Sequence, residues 1–174
     1  MLLSINNKLN ITLCGMMGSG KSSIGKIIAK KINFKFLDID KIIEEEEKKS
    51  INDIFNQNGE KYFRIVEEKI TINLLKSKKT ILSLGGGAVT NNTIRNCIKK
   101  NSYNIYLQVN IDILKKRLKN SKNRPLIYKE NLHYILDDLF NKREIFYKKA
   151  DLIINNEANI YETVNDILHK ISNE

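Results

Sequence analysis

No apolar run in this sequence approaches the roughly 20 residues that a bilayer-spanning helix needs, and the best candidate, around 81–84, is cut at once by three glycines. A membrane helix is thereby excluded and no membrane partner is expected. Proline occurs once, at Pro125, and no long tract of Pro, Gly or Ser marks a linker. A chain of 174 residues, 41% of them hydrophobic, is then sized for one compact domain, 1–174, with a genuine core. Only two cysteines are present, Cys14 and Cys97, far apart and without metal-ligand spacing. They are expected to be free thiols in a reducing cytoplasm. The N-terminal segment lacks a basic n-region, so no removable leader is expected.

Charge is abundant: 30 Lys and Arg against 20 Asp and Glu leave a net +10. Such an excess raises the question of nucleic acid, because lysine-rich surfaces gain affinity by releasing counterions from phosphate backbones. The distribution argues against it. The lysines are spread through almost every expected helix and alternate with Ile and Asn instead of clustering with aromatic residues. They fit a solvated surface with a general attraction for small anions, and no nucleic-acid partner is expected.

Short apolar runs alternate with helical patterns. Strands are expected over 11–14, 36–39, 80–84, 103–109 and 151–154. Helices are expected over 20–32, from about 41, and over 50–58, 59–75, 91–100, 111–118, 133–149 and 160–171. The alternation implies parallel βαβ units and a five-stranded sheet covered on both faces. The polar stretch 119–131 contains Pro125 and few core-like residues. It reads as a surface loop, either an ordinary connector or a lid that closes over a ligand.

The segment Gly15-Met-Met-Gly18-Ser19-Gly20-Lys21-Ser22 matches G-x-x-x-x-G-K-[ST] between an expected strand and an expected helix, the context that validates the motif. Glycines let successive N–H groups converge on an anion, and the helix N-terminus adds its positive end. Lys21 reaches the β and γ phosphates, and the Ser22 hydroxyl binds Mg²⁺. The loop names a nucleoside triphosphate and leaves GTPases, ATPases and small-molecule kinases open.

Asp38 and Asp40 close the second expected strand, where period-two geometry sends both carboxylates to one face at the carboxyl end of the sheet. One can support a metal hydration shell and the other can meet an acceptor hydroxyl, or Asp40 only caps the next helix. Arg64 and Glu67 are three apart on a helix. They either form a plain intrahelical pair, or Glu67 fixes a guanidinium fork for a substrate carboxylate. The strand over 80–84 ends in Gly85, Gly86 and Gly87, more glycine than a simple connection needs, so a close approach to a ligand is expected. No acidic residue ends that strand, so a hydrolytic ATPase's metal-binding aspartate is missing there.

Five separated motifs, GMMGSGKSS, FLDID, IFNQNGEKYFRIVE, SLGGGAVT, and Arg124-Pro125-Leu126 followed by Lys142-Arg143-Glu144 with Tyr147, together resemble shikimate kinase. The likeness runs from about residue 10 to about 151. It implies an α/β fold of the P-loop NTPase class, a nucleoside-monophosphate-kinase-like three-layer sandwich with a five-stranded parallel sheet in order 2-3-1-4-5. A mobile lid over about 119–131 and a shikimate-binding region over about 38–67 are also implied. The implied reaction is transfer of the γ-phosphoryl of ATP to the 3-hydroxyl of shikimate, with Mg²⁺, by a monomer. Gly15, Gly18, Ser19, Gly20, Lys21, Ser22 and Ser23 would bind the nucleotide. Arg117 would pack against adenine and Arg124 would reach the γ-phosphoryl from the lid. Ser22 and Asp38 would serve the metal. Asp40 would act as base on a shikimate hydroxyl, Arg64 and Arg143 would grip the carboxylate, Gly85, Gly86 and Gly87 would approach the substrate, and Phe55 and Phe63 would wall the pocket. Lys21, Asp40 and Arg124 are the expected catalytic residues. The segment 155–160 departs from the family pattern of an arginine or proline beside adenine. Another kinase of the same fold, for gluconate or a nucleoside monophosphate, is the alternative, but two arginines with one aspartate suit a polyhydroxy carboxylate better.

Overall fold

Strand β1, Asn10–Cys14, is buried along its whole length, as a strand must be when it is paired on both edges and covered on both faces. In the computed structural model, which describes residues 10–119, 132–157 and 159–173, β1 pairs in parallel with β3, Thr80–Ser83, and with β4, Ser102–Gln108. β2, Lys35–Asp38, and β5, Leu152–Asn155, form the edges, giving the order β2-β3-β1-β4-β5. This is the expected order 2-3-1-4-5, and all pairings are parallel.

Two apolar layers follow from period-two alternation. Ile11 and Leu13 of β1, Ile81 of β3 and Ile105 and Leu107 of β4 point to one face, against Ile24 and Ile28 of α1, Lys21–Ile32, and Val164 and Ile167 of α7, Ile160–Ser172. Cys14, Leu82 and Tyr106 point to the other. They are covered there by α3, Ile51–Leu74, α4, Asn92–Asn101, α5, Ile111–Lys119, and α6, Leu132–Tyr147. α1 lies close to the sheet because Gly25 has no side chain: a Cβ there would stand 2.6 Å from the Phe36 ring. Among the described residues no helix is long and apolar enough to cross a membrane.

One detail departs from the sequence expectation, another follows it, and both shape the site. The strand expected over 36–39 stops at Asp38, whose extended backbone (φ −105°, ψ 113°) caps α2, Ile39–Glu47. Asp40 therefore lies in the first turn of a helix, and strand alternation does not relate it to Asp38. The helices expected over 50–58 and 59–75 run together as α3 with a break at Gly59 (φ 79°, ψ 168°). Nothing lies within 4 Å of a Cβ built there, so glycine serves the backbone angle alone. The break brings Phe55 and Phe63 together with ring centroids 4.8 Å apart.

α1 carries the glycine-rich loop at its start, so its seating on the sheet governs the loop. Ile28→Ala, at a fully buried position, should cost about 2–5 kcal/mol of unfolding free energy. Urea denaturation with an unchanged m-value is the check.

Candidate active site

All five strands end on one edge of the sheet, and a cavity of about 770 Å³ opens there. One wall is the loop between β1 and α1. Gly15, Gly18 and Gly20 hold positive φ of 138°, 79° and 90°, angles that a side chain would resist. A Cβ on Gly15 would also stand 2.8 Å from the Leu107 carbonyl. The Lys21 ammonium bends back over this loop, donating to the Gly15 carbonyl at 3.0 Å and the Met16 carbonyl at 2.9 Å. Ser19 is buried, and its hydroxyl has no hydrogen-bond partner among the described residues. Ser22 and Ser23 line the cavity beside Lys21.

The Ser22 hydroxyl donates to the Asp38 carboxylate at 2.5 Å, with the Ser83 hydroxyl 3.4 Å away. Two hard oxygen donors thus meet at one point of the wall, next to the loop. That set suits a small divalent cation that keeps water and ligand oxygens in most of its shell. No group of three or more His, Cys, Asp or Glu among the described residues offers a full protein cage.

The opposite wall explains the three glycines. None of them has positive φ; what they supply is space. A Cβ on Gly85 would collide with Glu67 Oε1 and stand 2.9 Å from Asp40 Oδ1. One on Gly87 would lie 2.6–2.8 Å from the Arg64 guanidinium, and one on Gly86 would lie 3.4 Å from Arg143 Nη1. Charged groups from α2, α3 and α6 therefore converge on bare backbone beyond β3. Tyr147 of α6 donates its hydroxyl hydrogen bond to the Gly86 carbonyl and stacks on Tyr106 with centroids 5.1 Å apart. Phe55 and Phe63 complete this end of the cavity.

Arg64 is held from its own helix by two carboxylates. Nη1 meets Glu67 at 2.6 Å, and Nη2 and Nε meet Glu60 at 3.0 and 3.2 Å. The intrahelical pair is thus formed, and Arg64 also lines the cavity. Burial disfavours the Arg64 cation, but the charge and hydrogen bond of Glu67, then those of Glu60, outweigh it and raise its pKa. Glu67 is 1% exposed, with Oε1 lacking a hydrogen-bond partner among the described residues. Burial raises its pKa despite the opposing charge and hydrogen bond of Arg64, and the nearby Asp40 charge adds to the rise. The guanidinium stays charged throughout, so the carboxyl group bears the desolvation of this pair.

Arg117 reaches the phosphate-loop side, with Nη1 3.4 Å from the Gly18 carbonyl and Nη2 3.2 Å from the Asn156 carbonyl. Arg124 and the expected lid fall outside the described residues. Burial pushes the Cys14 thiol up to about 12, and both cysteines are free. Sequence reasoning missed Glu60, Ser83 and Asn156. Helical spacing could have found Glu60, four residues before Arg64. Nothing local marks Asn156, whose amide donates to the Ser19 carbonyl from 137 residues away.

The family model described as shikimate kinase matches residues 17–172. A shikimate kinase from Persephonella marina is 40% identical over 93% of this chain and 98% of its own length. One from Sulfurihydrogenibium sp. is 43% identical over 93% and 97%. Among solved structures, shikimate kinase from Acinetobacter baumannii in complex with shikimate superposes with a TM-score of 0.91 at 32% identity, covering 98% of this chain and 97% of that one.

The buried Glu67 carries a pH signature. Its folded pKa stands above the ordinary 4.5, so between the two values the native state holds the proton more firmly than the unfolded chain. Stability from this group is therefore greatest below the unfolded value and declines as pH rises through the folded one. The difference in denaturation midpoint between wild type and Glu67→Gln, followed over about pH 4 to 8, should move against wild type as pH rises. A difference independent of pH would show an unperturbed carboxyl group.

Proposed function

The chain belongs to the shikimate kinase family, and from that premise we propose that it transfers the γ-phosphoryl group of ATP to the 3-hydroxyl of shikimate. The products are shikimate 3-phosphate and ADP, a step of chorismate and aromatic amino acid biosynthesis. One observation carries the acceptor side: Asp40, Arg64 and Arg143 converge on three bare glycines in the same cavity as Lys21. Two guanidinium groups and a carboxylate match an acceptor with one carboxylate and several hydroxyls.

In this reading residues 15–22 cradle the phosphates. Lys21 exchanges the two loop carbonyls it now holds for β- and γ-phosphate oxygens, and Arg117 packs along adenine. Ser22 and Asp38 hold Mg²⁺, whose chemistry when bound is to neutralise charge on the β and γ phosphates. Arg64, braced by Glu60 and Glu67, and Arg143 grip the shikimate carboxylate. Phe55 and Phe63 exclude water from the ring's flank, and Gly86 offers a backbone donor while Tyr147 holds its carbonyl. Asp40 accepts the proton of the attacking hydroxyl. Arg124 follows the resemblance, neutralising the γ-phosphoryl from a lid over about 119–131. Positioning and charge neutralisation, more than base strength, supply most of the acceleration in this chemistry. The reading includes a monomeric, cytoplasmic enzyme.

Mg²⁺-dependent ADP release should appear with shikimate and be absent with gluconate, AMP or glycerate; preference for another acceptor on that panel overturns the assignment. Asp40→Asn should lower kcat at least about a hundredfold while ATP binding, measured by titration, persists. Near-normal kcat in this variant would remove Asp40 as the base.

A further inference from the structure

We propose that Asn156 is a positioning residue of the phosphate loop, fixing from the far end of the chain the peptide group that joins Ser19 to Gly20. The inference rests on a nucleotide's phosphates occupying the loop over 15–22, and not on the identity of the acceptor.

Asn156 follows β5 directly and is 5% exposed. Its backbone N–H donates to the Gln108 carbonyl at 2.8 Å, extending the β4–β5 ladder by one residue and anchoring the main chain. Its side chain bridges two elements. Nδ2 donates to the Ser19 carbonyl at 2.6 Å, and Oδ1 accepts from the Thr163 hydroxyl of α7 at 2.9 Å. Because a carbonyl oxygen can only accept, the Ser19 carbonyl requires the NH₂ end of the amide to face the loop, which leaves Oδ1 for the Thr163 hydroxyl.

The consequence lies in peptide geometry. In a planar trans peptide the C=O and the following N–H point in opposite directions, and the described residues contain no cis bond. With the Ser19 carbonyl tied to Asn156, the Gly20 N–H is aimed away from Asn156, and Gly20 and Lys21 line the cavity. One residue earlier the Gly18 carbonyl accepts from Arg117, whose second nitrogen donates to the Asn156 carbonyl. Two successive carbonyls of the loop are thus tied, directly and through Arg117, to one buried residue.

Asn156 and Gly20 are also matched sterically. A Cβ on Gly20 would stand 2.9 Å from Asn156 Nδ2, so the amide occupies the space that the glycine leaves. Three glycines at positive φ give the loop many alternative conformations in the absence of outside restraint. Restraint applied before binding spares the ordering cost when the phosphates arrive, which raises affinity without adding a contact to the ligand.

The test uses neutral substitutions, so that charge near the phosphates is unchanged. Asn156→Ala should weaken binding of a non-hydrolysable ATP analogue about tenfold by calorimetric titration, the scale of one buried hydrogen bond with its partner orphaned. The KM for ATP should rise in parallel, with the KM for shikimate within about twofold of wild type. Thr163→Val, which frees the amide to rotate, should act in the same direction with smaller size, and it is the deciding variant if Asn156→Ala does not fold. A folded variant that binds the analogue like wild type, or one whose two KM values rise together, overturns the proposal. Wild-type protein that binds the analogue but leaves shikimate unphosphorylated counts against the acceptor assignment alone, and the Asn156 comparison is still decided by the titration.

Discussion

A stretch of backbone without side chains is what the acceptor end of this site depends on. β3 ends in Gly85, Gly86 and Gly87, and Glu67, Asp40, Arg64 and Arg143 are packed against those three residues from three different helices. Side chains there would occupy the positions of the charged groups themselves. In a low-dielectric setting, groups of both signs attract and repel more strongly than in water, so close packing against neutral backbone fixes the geometry in which they face the cavity. Tyr147 extends the arrangement by holding the Gly86 carbonyl, linking the helix that bears Arg143 to the same turn.

The cost of this geometry falls on Glu67. A carboxyl group almost wholly removed from water, with one oxygen unpartnered among the described residues, is a poor contributor to stability. Its value is directional: together with Glu60 it occupies three guanidinium nitrogens of Arg64 and so restricts the fork's orientation. Across the cavity Lys21 is held in a similar way, by two carbonyls of its own loop. Both cations are thus held at the cavity wall by partners of their own loop or helix.

Much of the fold was legible because it is written in local periodicity. Alternation of apolar runs and helical patterns yielded five parallel strands, and the order expected from the family resemblance is the order found. The misplacement of Asp40 has a definite cause. Leu37-Asp38-Ile39-Asp40 alternates apolar and acidic residues as a strand would, but Asp38 is the last extended residue before α2 and the chain turns helical at Ile39. A four-residue pattern cannot distinguish the end of a strand from the first turn of a helix. Gly59, by contrast, lay at the junction of two helical patterns, and the chain does break there, because only glycine takes that backbone angle without strain.

Features that depend on contiguous residues are readable along the chain. The phosphate loop needs glycines, a lysine and a serine at fixed spacing at the mouth of a helix, and β1 needs residues that can be buried on both faces. Those requirements are met within a few residues, where spacing along the chain is spacing in space. Contacts between residues distant in sequence arise only once the layers pack. That packing brings the charged groups of α2, α3 and α6 to one glycine turn, sets Ser22 on Asp38, and places the Asn156 amide on a loop carbonyl 137 residues away. Parallel strands make this possible, since every strand ends on the same edge and each following loop or helix starts there. Which side chains meet on that edge is set by strand order and by packing across the two layers, and neither is a property of any short segment.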